Sequence, residues 1–502
     1  MILEAANIIP LFSALSLMGA FIITIFKRTK WLPDIAGNIA TFVLFLLSVV
    51  SVGIVNKYGA LVYSVGAWKP PFGIAMVLDG LTSFMLVTVN LVAFCISIFS
   101  INYMRKYTSK WKFYSLFLLM LAGMNGVIVT GDIFNLFVFL EIASVASYAL
   151  VAFGTEKHEL EAAFKYAIMS TVGSLFILLG IVLLYSYTST LNMADMANVL
   201  AQKGAGNITL MVSVFFLMGF GLKAALVPFH AWLPDAHPSA PAPISAMLSG
   251  VLIKSLGIYA LCRIFYNVIG ITPEVSSILL FLGALSMVIG VFLAIGQWDF
   301  KRLLAYHSIS QIGYVVLGIG LGTPLGILGG LFHLFNHSVF KSLLFLDSGA
   351  VEYSTGTRDL KKMGGLAQKM PVTGTTSFIA SMSIAGVPPF NGFWSKLIII
   401  IAAVQAHRYG YAFWAVIASI LTLASFMKVM KYAFFDRLKD SLSQVKEVPI
   451  SMKLSMCALA LVCILGGILL LTGVDNIFLD KASQVLSEGT KYALIVFKGL
   501  PT

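Results

Sequence analysis

The chain has 502 residues, 59% of them hydrophobic and only 11% charged, with a formal net charge of +12. A soluble domain carries about a quarter charged residues, so a soluble enzyme is excluded and a polytopic protein with the lipid bilayer as its solvent is expected. The positive balance does not point to nucleic acid, because the basic residues fall in short loops between apolar runs, as orientation signals do.

Apolar runs of about 20 residues, enough to cross a bilayer, follow one another almost without pause. Their expected bounds are 5–26, 36–55, 76–100, 113–130, 132–153, 163–187, 209–227, 243–266, 275–296, 303–321, 324–348, 373–404, 412–434 and 453–473. The fold class is therefore all-α and membrane-embedded, with about 14 transmembrane helices. The first run has no basic segment before it and no small-residue cleavage site, so it reads as a span rather than a signal peptide. The polar turn Thr130-Gly131-Asp132 separates two spans, and 484–497 is too short for one.

The loops alternate in charge. One side holds Lys27, Arg28 and Lys30, then Arg105, Lys106, Lys110 and Lys112, then Lys301 and Arg302, Arg358, Lys361 and Lys362, and Arg437, Lys439 and Lys446. The other side holds scattered cations such as Lys57, Lys69, Lys203, Arg263 and Arg408. Basic loops stay in the cytoplasm, which predicts a multi-pass protein of the cell membrane with both termini on the outer side. Cys95, Cys262, Cys457 and Cys463 form no CxxC pair and lie in or beside apolar runs, so they read as small buried apolar residues. No iron–sulfur, haem or other cofactor pattern is visible, and no redox site belonging to this chain is expected.

Against this background five charges stand inside spans: Glu141, Lys223, Lys254, Lys341 and Lys396. A charge at mid-bilayer costs roughly 2.5–3.5 kcal/mol on insertion scales, so such groups face a protein interior or a wet cavity and mark an ion path. Desolvation disfavours the charged form of an ammonium, so a buried lysine exchanges its proton more readily than a surface one, and Glu141 is the natural counter-charge. The competing reading, snorkelling toward the interface, suits Lys396 best.

Two spans are interrupted by proline: Pro228 follows Lys223 in GLKAALVPFHAW, and Pro388 and Pro389 precede Lys396 in SIAGVPPFNGFWSK. Proline frees a carbonyl and breaks a helix, and paired breaks in two halves of a chain point to internal repeats with an ion site at each; two unrelated kinks are the alternative. His333, His337 and Lys341 recur at i+4 and form one stripe about 12 Å long. Histidine accepts and donates protons near neutral pH, so the stripe reads either as a water-bridged proton wire or as structural hydrogen bonding. No nearby cysteine or carboxylate completes a zinc site. His230 and His237 are expected at the cytoplasmic mouth, in or beside the proline-rich turn Trp232–Pro243, as relay groups or structural ones.

GDIFNLFVFLEIASVASYAL, LKAALVPFHAWLPDAHPSAPAPISAMLSGVLIKSLGIYAL and FNHSVFKSLLFL resemble the antiporter-like subunits of respiratory complex I, of Mrp sodium/proton antiporters (their D-type component) and of membrane-bound energy-converting hydrogenases, over about 75–430. The resemblance implies two inverted five-helix repeats with broken seventh and twelfth helices. The implied divisions are 1–112 for helices 1–3, 113–268 and 269–436 for the two repeats, and 437–502 for helix 14 and the tail. It makes Glu141 and Lys223 a coupled ion pair, Lys254 a relay, His333 and His337 the polar positions of the eleventh helix, and Lys396 the exit group. Asp347 departs from the pattern; it is expected either to pair with Lys341 or to face the cytoplasmic loop. No long lateral helix follows the last span, which points toward the Mrp D-type component or a hydrogenase-type partner.

The expected function is translocation of protons, alone or in exchange for sodium, within a multisubunit complex. Its partners would be other antiporter-like and small hydrophobic subunits and, in a redox-driven complex, hydrogenase or iron–sulfur subunits. The rival readings are an independent solute permease and a structural subunit whose charges fasten helices together.

Overall fold

The structure is a computed structural model that describes residues 5–68, 72–107, 109–204, 206–470, 473 and 477–498. Lys69 lies outside the described residues. In chain order the elements are α1 (Leu11–Ile25), α2 (Leu32–Tyr58), a hairpin of β1 (Leu61–Ser64) and β2 (Ala75–Leu78), α3 (Gly80–Tyr103), α4 (Lys110–Val129), α5 (Ile133–Val151), α6 (Lys157–Thr188), α7 (Met193–Lys203), α8 (Asn207–Lys223), α9 (Leu233–Ser239) and α10 (Ala242–Val268). There follow α11 (Pro273–Ile295), α12 (Phe300–Gly320), α13 (Pro324–Thr355), α14 (Pro371–Ala385), α15 (Asn391–Gln405), α16 (Tyr409–Phe435), α17 (Ile450–Leu465), α18 (Leu479–Ser487) and α19 (Tyr492–Lys498).

Every stretch read as a span contains helix; of the last stretch, 471 and 472 lie outside the described residues. Among the described residues ten helices are long and apolar enough to cross a membrane. The outer ones turn apolar side chains outward, as Ile39, Phe42, Leu46 and Val50 do on α2; such a face is stable against lipid but not against water. The inner ones, α10 and α12 above all, are buried almost throughout. Where inner helices meet, small residues allow close approach. A Cβ placed on Gly283 of α11 would lie 2.7 Å from the Leu317 nitrogen of α12, and one on Gly290 would lie 2.6 Å from that of Ser310.

The hairpin is an addition to the all-α expectation. Its antiparallel register pairs Leu61 with Leu78 and Ser64 with Ala75, so the span expected from 76 begins only after Asp79, whose carboxylate caps α3. The hairpin marks one end of the bundle, where Gly131 N–H donates to Ala75 O at 2.8 Å. The loops read as basic gather at the other end: Lys110 meets Asp34 at 2.7 Å, Lys165 meets Asp235 at 3.3 Å, and Arg358 meets Asp299 at 3.3 Å.

Both proline sites break their helices. α8 stops at Lys223, and residues 224–232 form a non-helical turn with Ala225 at φ +55°. α14 stops at Ala385, followed by Gly386 at φ +81°, and α15 starts at Asn391. The Val227–Pro228 and Pro388–Pro389 bonds are both cis. Buried side chains satisfy the backbone left over at the first break: the Trp232 indole donates to Leu222 O at 3.0 Å, and Ser286 Oγ accepts from Val227 N–H at 2.9 Å.

Two expectations are corrected here. Arg263, read as a loop charge, sits inside α10 at 1% exposure and holds Asp79 at 2.8 and 3.0 Å with both terminal guanidinium nitrogens. A loop reading fails because Asp79, which lies 184 residues away in the chain, folds over to neutralise it. Cys457, read as buried, is exposed on α17, whereas the other three cysteines are buried; a small, weakly polar thiol faces lipid at little cost.

Candidate functional site

The first charged group is built by three helices. Glu141 and Ser144 lie one turn apart on α5, Ser170 and Ser174 one turn apart on α6, and Lys223 ends α8 at the break. The Lys223 ammonium lies 3.5 Å from Glu141 Oε1 and donates to Ser144 Oγ at 3.0 Å and Ser170 Oγ at 2.6 Å. Ser174 donates a close hydrogen bond to the same Glu141 oxygen. The lysine side chain is 3% exposed and the glutamate 31%, so the pair has one sealed and one open member. A buried charge persists only when it is paired and hydrogen-bonded, and the three serines supply those bonds. They are residues the sequence reading missed; serine is common in membrane helices and carries no periodic signal.

The second group lies beside the other break. His333 Nδ1 is 2.9 Å from Ser395 Oγ on α15, and Nε2 is 3.2 Å from Gln311 Oε1 on α12. The His337 ring lies 6.3 Å from that of His333, near parallel. Lys396 does not snorkel. It is 3% exposed, donates to Ile384 O at 2.8 Å and Ala385 O at 3.5 Å, and lies 4.7 Å from the centroid of the Tyr314 ring. Its ammonium thus serves the orphan carbonyls at the end of α14, where a cation is favoured.

Between the two groups stands α10. A Cβ on its Gly257 would lie 2.6 Å from Ala224, the neighbour of Lys223. On the side facing α13, Gly250 abuts Ser342, the residue after Lys341. The helix carries π-helical turns at Leu248–Leu252, Lys254–Tyr259 and Arg263–Val268, a distortion common at functional sites. Lys254 makes a close bond to Ser249 O, and Ser249 Oγ meets Ser308 Oγ of α12 at 2.6 Å. The helices bearing Glu141, Lys223, Lys254, the histidine stripe and Lys396 therefore pack in unbroken succession across the bundle.

The stripe itself is continuous, because α13 runs unbroken through His333, His337 and Lys341, all three fully buried. Among the described residues neither nitrogen of His337 nor the Lys341 ammonium has a hydrogen-bond partner, and Lys341 lies 5.6 Å from the centroid of the Phe345 ring. Buried polar groups of this kind call for water.

The three accessory residues of the sequence reading lie outside the two charged groups. Asp347 does not pair with Lys341; it is fully buried and accepts from Thr376 Oγ1 of α14 at 2.8 Å. It stands six residues beyond Lys341, off the stripe. The proline-rich turn around His237 folds as the short helix α9, which buries the imidazole completely. His230 is half-buried in the break and belongs to neither charged group. The sequence reading also passed over His307 of α12, fully buried with Nε2 at 2.8 Å from Ser425 Oγ.

The family described as NADH:quinone oxidoreductase/Mrp antiporter, transmembrane, matches residues 130–422, and the complex I chain 5 N-terminus matches 63–114. The chain is 37% identical over 429 residues to the D-type component of the Na(+)/H(+) antiporter of Alkalihalophilus pseudofirmus, covering 85% of this chain and 87% of that one. A chain of the Mrp complex from Dietzia sp. DQ12-45-1b superposes with a TM-score of 0.87 at 28% identity, over 99% of each chain. A chain of the membrane-bound sulfane sulfur reductase, an archaeal respiratory membrane complex, superposes with a TM-score of 0.88 at 31% identity, over 98% of this chain and 100% of that one. Both charged groups fall inside the matched region, and this chain belongs to the NADH:quinone oxidoreductase/Mrp antiporter family as an antiporter-like membrane subunit.

Proposed function

We propose that this chain translocates protons, with or without sodium in exchange, as one subunit of a multisubunit complex in the cell membrane, the basic end facing the cytoplasm and both termini outside. The proton path runs through Glu141, Lys223, Lys254, the His337 and His333 stripe with Lys341, and Lys396. The observation that carries this is the Lys223–Glu141 pair: a sealed ammonium held at 3.5 Å by a carboxylate that is itself partly open, at the end of a broken helix. Motion of the break changes that separation, and with it the ease with which the lysine gives up its proton. His230 and Asp347 are outside this path. The relatives lie in Mrp and respiratory complexes, so other membrane subunits are the expected partners, with iron–sulfur or hydrogenase-type subunits if the complex is redox-driven.

The division into repeats at 113–268 and 269–436 is part of the same reading. Ile133 N–H donates to Leu191 O and Met193 N–H to Gly131 O, both at 2.9 Å; Phe300 N–H donates to Arg358 O and Leu360 N–H to Trp298 O, both at 3.0 Å. The residue numbers advance by one constant step, 131 to 298, 133 to 300, 191 to 358 and 193 to 360. The first set of bonds lies at the hairpin end and the second at the basic end, as an inverted repeat requires. The same step carries Ser144 to Gln311, Ser170 to His337 and Ser174 to Lys341. It carries Glu141 to Ser308, so the second repeat holds a serine where the first holds the carboxylate.

The test is transport by the assembled complex with Lys223→Ala or Glu141→Ala. Transport is expected to be abolished with assembly intact; wild-type rates in either variant would falsify the assignment, and loss of assembly in both would favour the fastening role.

A further inference from the structure

α11 and α16 run side by side toward the basic end, where Lys428 donates to Ile295 O at 2.6 Å. Midway they pack closely, with Met287 and Val291 in one apolar cluster with Ala415 and Ala418. Toward the hairpin end an apolar groove of about 610 Å3 opens between them, and no group of the charged path lines it. Small-molecule sites span about 300–1,000 Å3, so the groove is large enough to hold a ligand. One wall is Phe281, Ala284, Leu285 and Val288, which recur at i+3, i+4 and i+7 and so share one face of α11. The other wall includes Trp414 of α16.

The rim of the groove is of another character. It is the turn that joins α15 to α16, with His407, Arg408 and Tyr409. His407 Nδ1 lies 2.9 Å from Tyr409 OH. With the phenol as donor of that bond, Nε2 carries the N–H of a neutral imidazole. Arg408 is exposed and forms no ion pair among the described residues. None of the residues lining the groove is acidic. The turn also lies inward of its neighbour's tip, because the lining residues of α11 begin at Phe281, about 12 Å from Pro273 at 1.5 Å per residue. A cation set inward of a membrane helix end calls for an anion. Tyr409 and Trp414, 60% and 42% exposed, place this rim at the depth of lipid headgroups, where aromatic side chains with a polar tip collect.

We propose that this groove holds one anionic phospholipid of the leaflet at the hairpin end, with its phosphate on Arg408 and one acyl chain along the face of α11 from Phe281 to Val288. The two halves of such a molecule match the two halves of the site. The guanidinium offers phosphate parallel N–H donors, and His407 adds another through Nε2. A free phosphate would satisfy the cation and leave the apolar wall bare. A zwitterionic lipid would fill the groove but bring its own ammonium up to the arginine. An anionic phospholipid meets both demands. The site lies outside the proposed proton path and is independent of it.

The experiment uses the assembled complex in vesicles of phosphatidylethanolamine that carry a trace of phosphatidylglycerol with a photoactivatable diazirine on one acyl chain. After irradiation the points of attachment are read by mass. Attachment is expected within residues 281–288 and is expected to fall when unlabelled phosphatidylglycerol is added. Arg408→Ala is expected to cut it about tenfold, the loss of one charge-assisted contact, and Arg408→Lys to restore most of it. Ala284→Phe, which fills the groove, is expected to abolish it at normal assembly, and Arg302→Ala, at the exposed start of α12 on the basic end, to leave it unchanged. Equal attachment in Arg408→Ala, or with a diazirine phosphatidylethanolamine in place of the phosphatidylglycerol, shows passing bilayer lipid only and overturns the site. A photo-cross-linking residue in place of Leu285 that couples to another subunit, with no lipid attached to the wild type, shows that a neighbour covers the groove and likewise overturns it.

Discussion

Replacing Asp79 separates the two kinds of buried charge in this protein. Arg263 is 1% exposed, and both its terminal nitrogens are spent on Asp79, with further bonds to Asn267 Oδ1 at 3.1 Å, Thr82 Oγ1 at 3.2 Å and Tyr259 OH at 3.3 Å. Asp79 also accepts from Thr82 N–H at 2.8 Å, capping α3. Removing one partner of a buried pair costs about 3–5 kcal/mol, and loss of an N-cap costs about 1 kcal/mol more. Asp79→Ala should therefore destabilise the protein by about 4–6 kcal/mol. Asp79→Asn keeps an acceptor for the cap and one guanidinium bond, and should lose about half as much. Thermal unfolding in detergent, followed by loss of monodisperse protein, measures the order wild type, Asn, Ala. Transport per folded molecule should be unchanged in Asp79→Asn, because this pair lies at the hairpin end and joins none of the groups of the proposed path. An Asp79→Ala protein that unfolds with the wild type would refute the claim that Arg263 depends on this carboxylate.

Two further outcomes follow from the packing. Ser170→Ala removes the 2.6 Å bond to Lys223 while sparing the glutamate; a hydrogen bond to a charged group contributes about 1.5–3 kcal/mol, so transport should fall about tenfold with assembly unchanged, and an unaltered rate would show that the hydroxyl is incidental. Gly283→Ala drives a methyl to within 2.7 Å of the Leu317 nitrogen and should separate α11 from α12 at about 1–3 kcal/mol, whereas Gly410→Ala, where nothing lies within 4 Å, should leave the unfolding temperature within error.

Much of this molecule can be read along a single strand of sequence. The apolar runs mark the helices because the bilayer leaves the backbone no other way to satisfy its hydrogen bonds. Pro228 and Pro389 mark the breaks because proline lacks the donor a helix needs, and the stripe of His333, His337 and Lys341 follows from the helical period alone. Glu141 and Lys223 could be matched because an anion and a cation inside lipid have few alternatives to each other. What only the tertiary structure decided is which faces meet. Ser144, Ser170 and Ser174 became ligands of that pair, Arg263 moved from a loop to a buried bond with Asp79, Asp347 turned to Thr376 rather than Lys341, and His237 passed from the surface to the interior. The sequence pattern reports how each helix is coloured about its own axis. It carries little about which neighbour that axis lies against, because between helices in lipid the contacts are set by van der Waals fit and hydrogen bonds at close range, not by hydrophobicity.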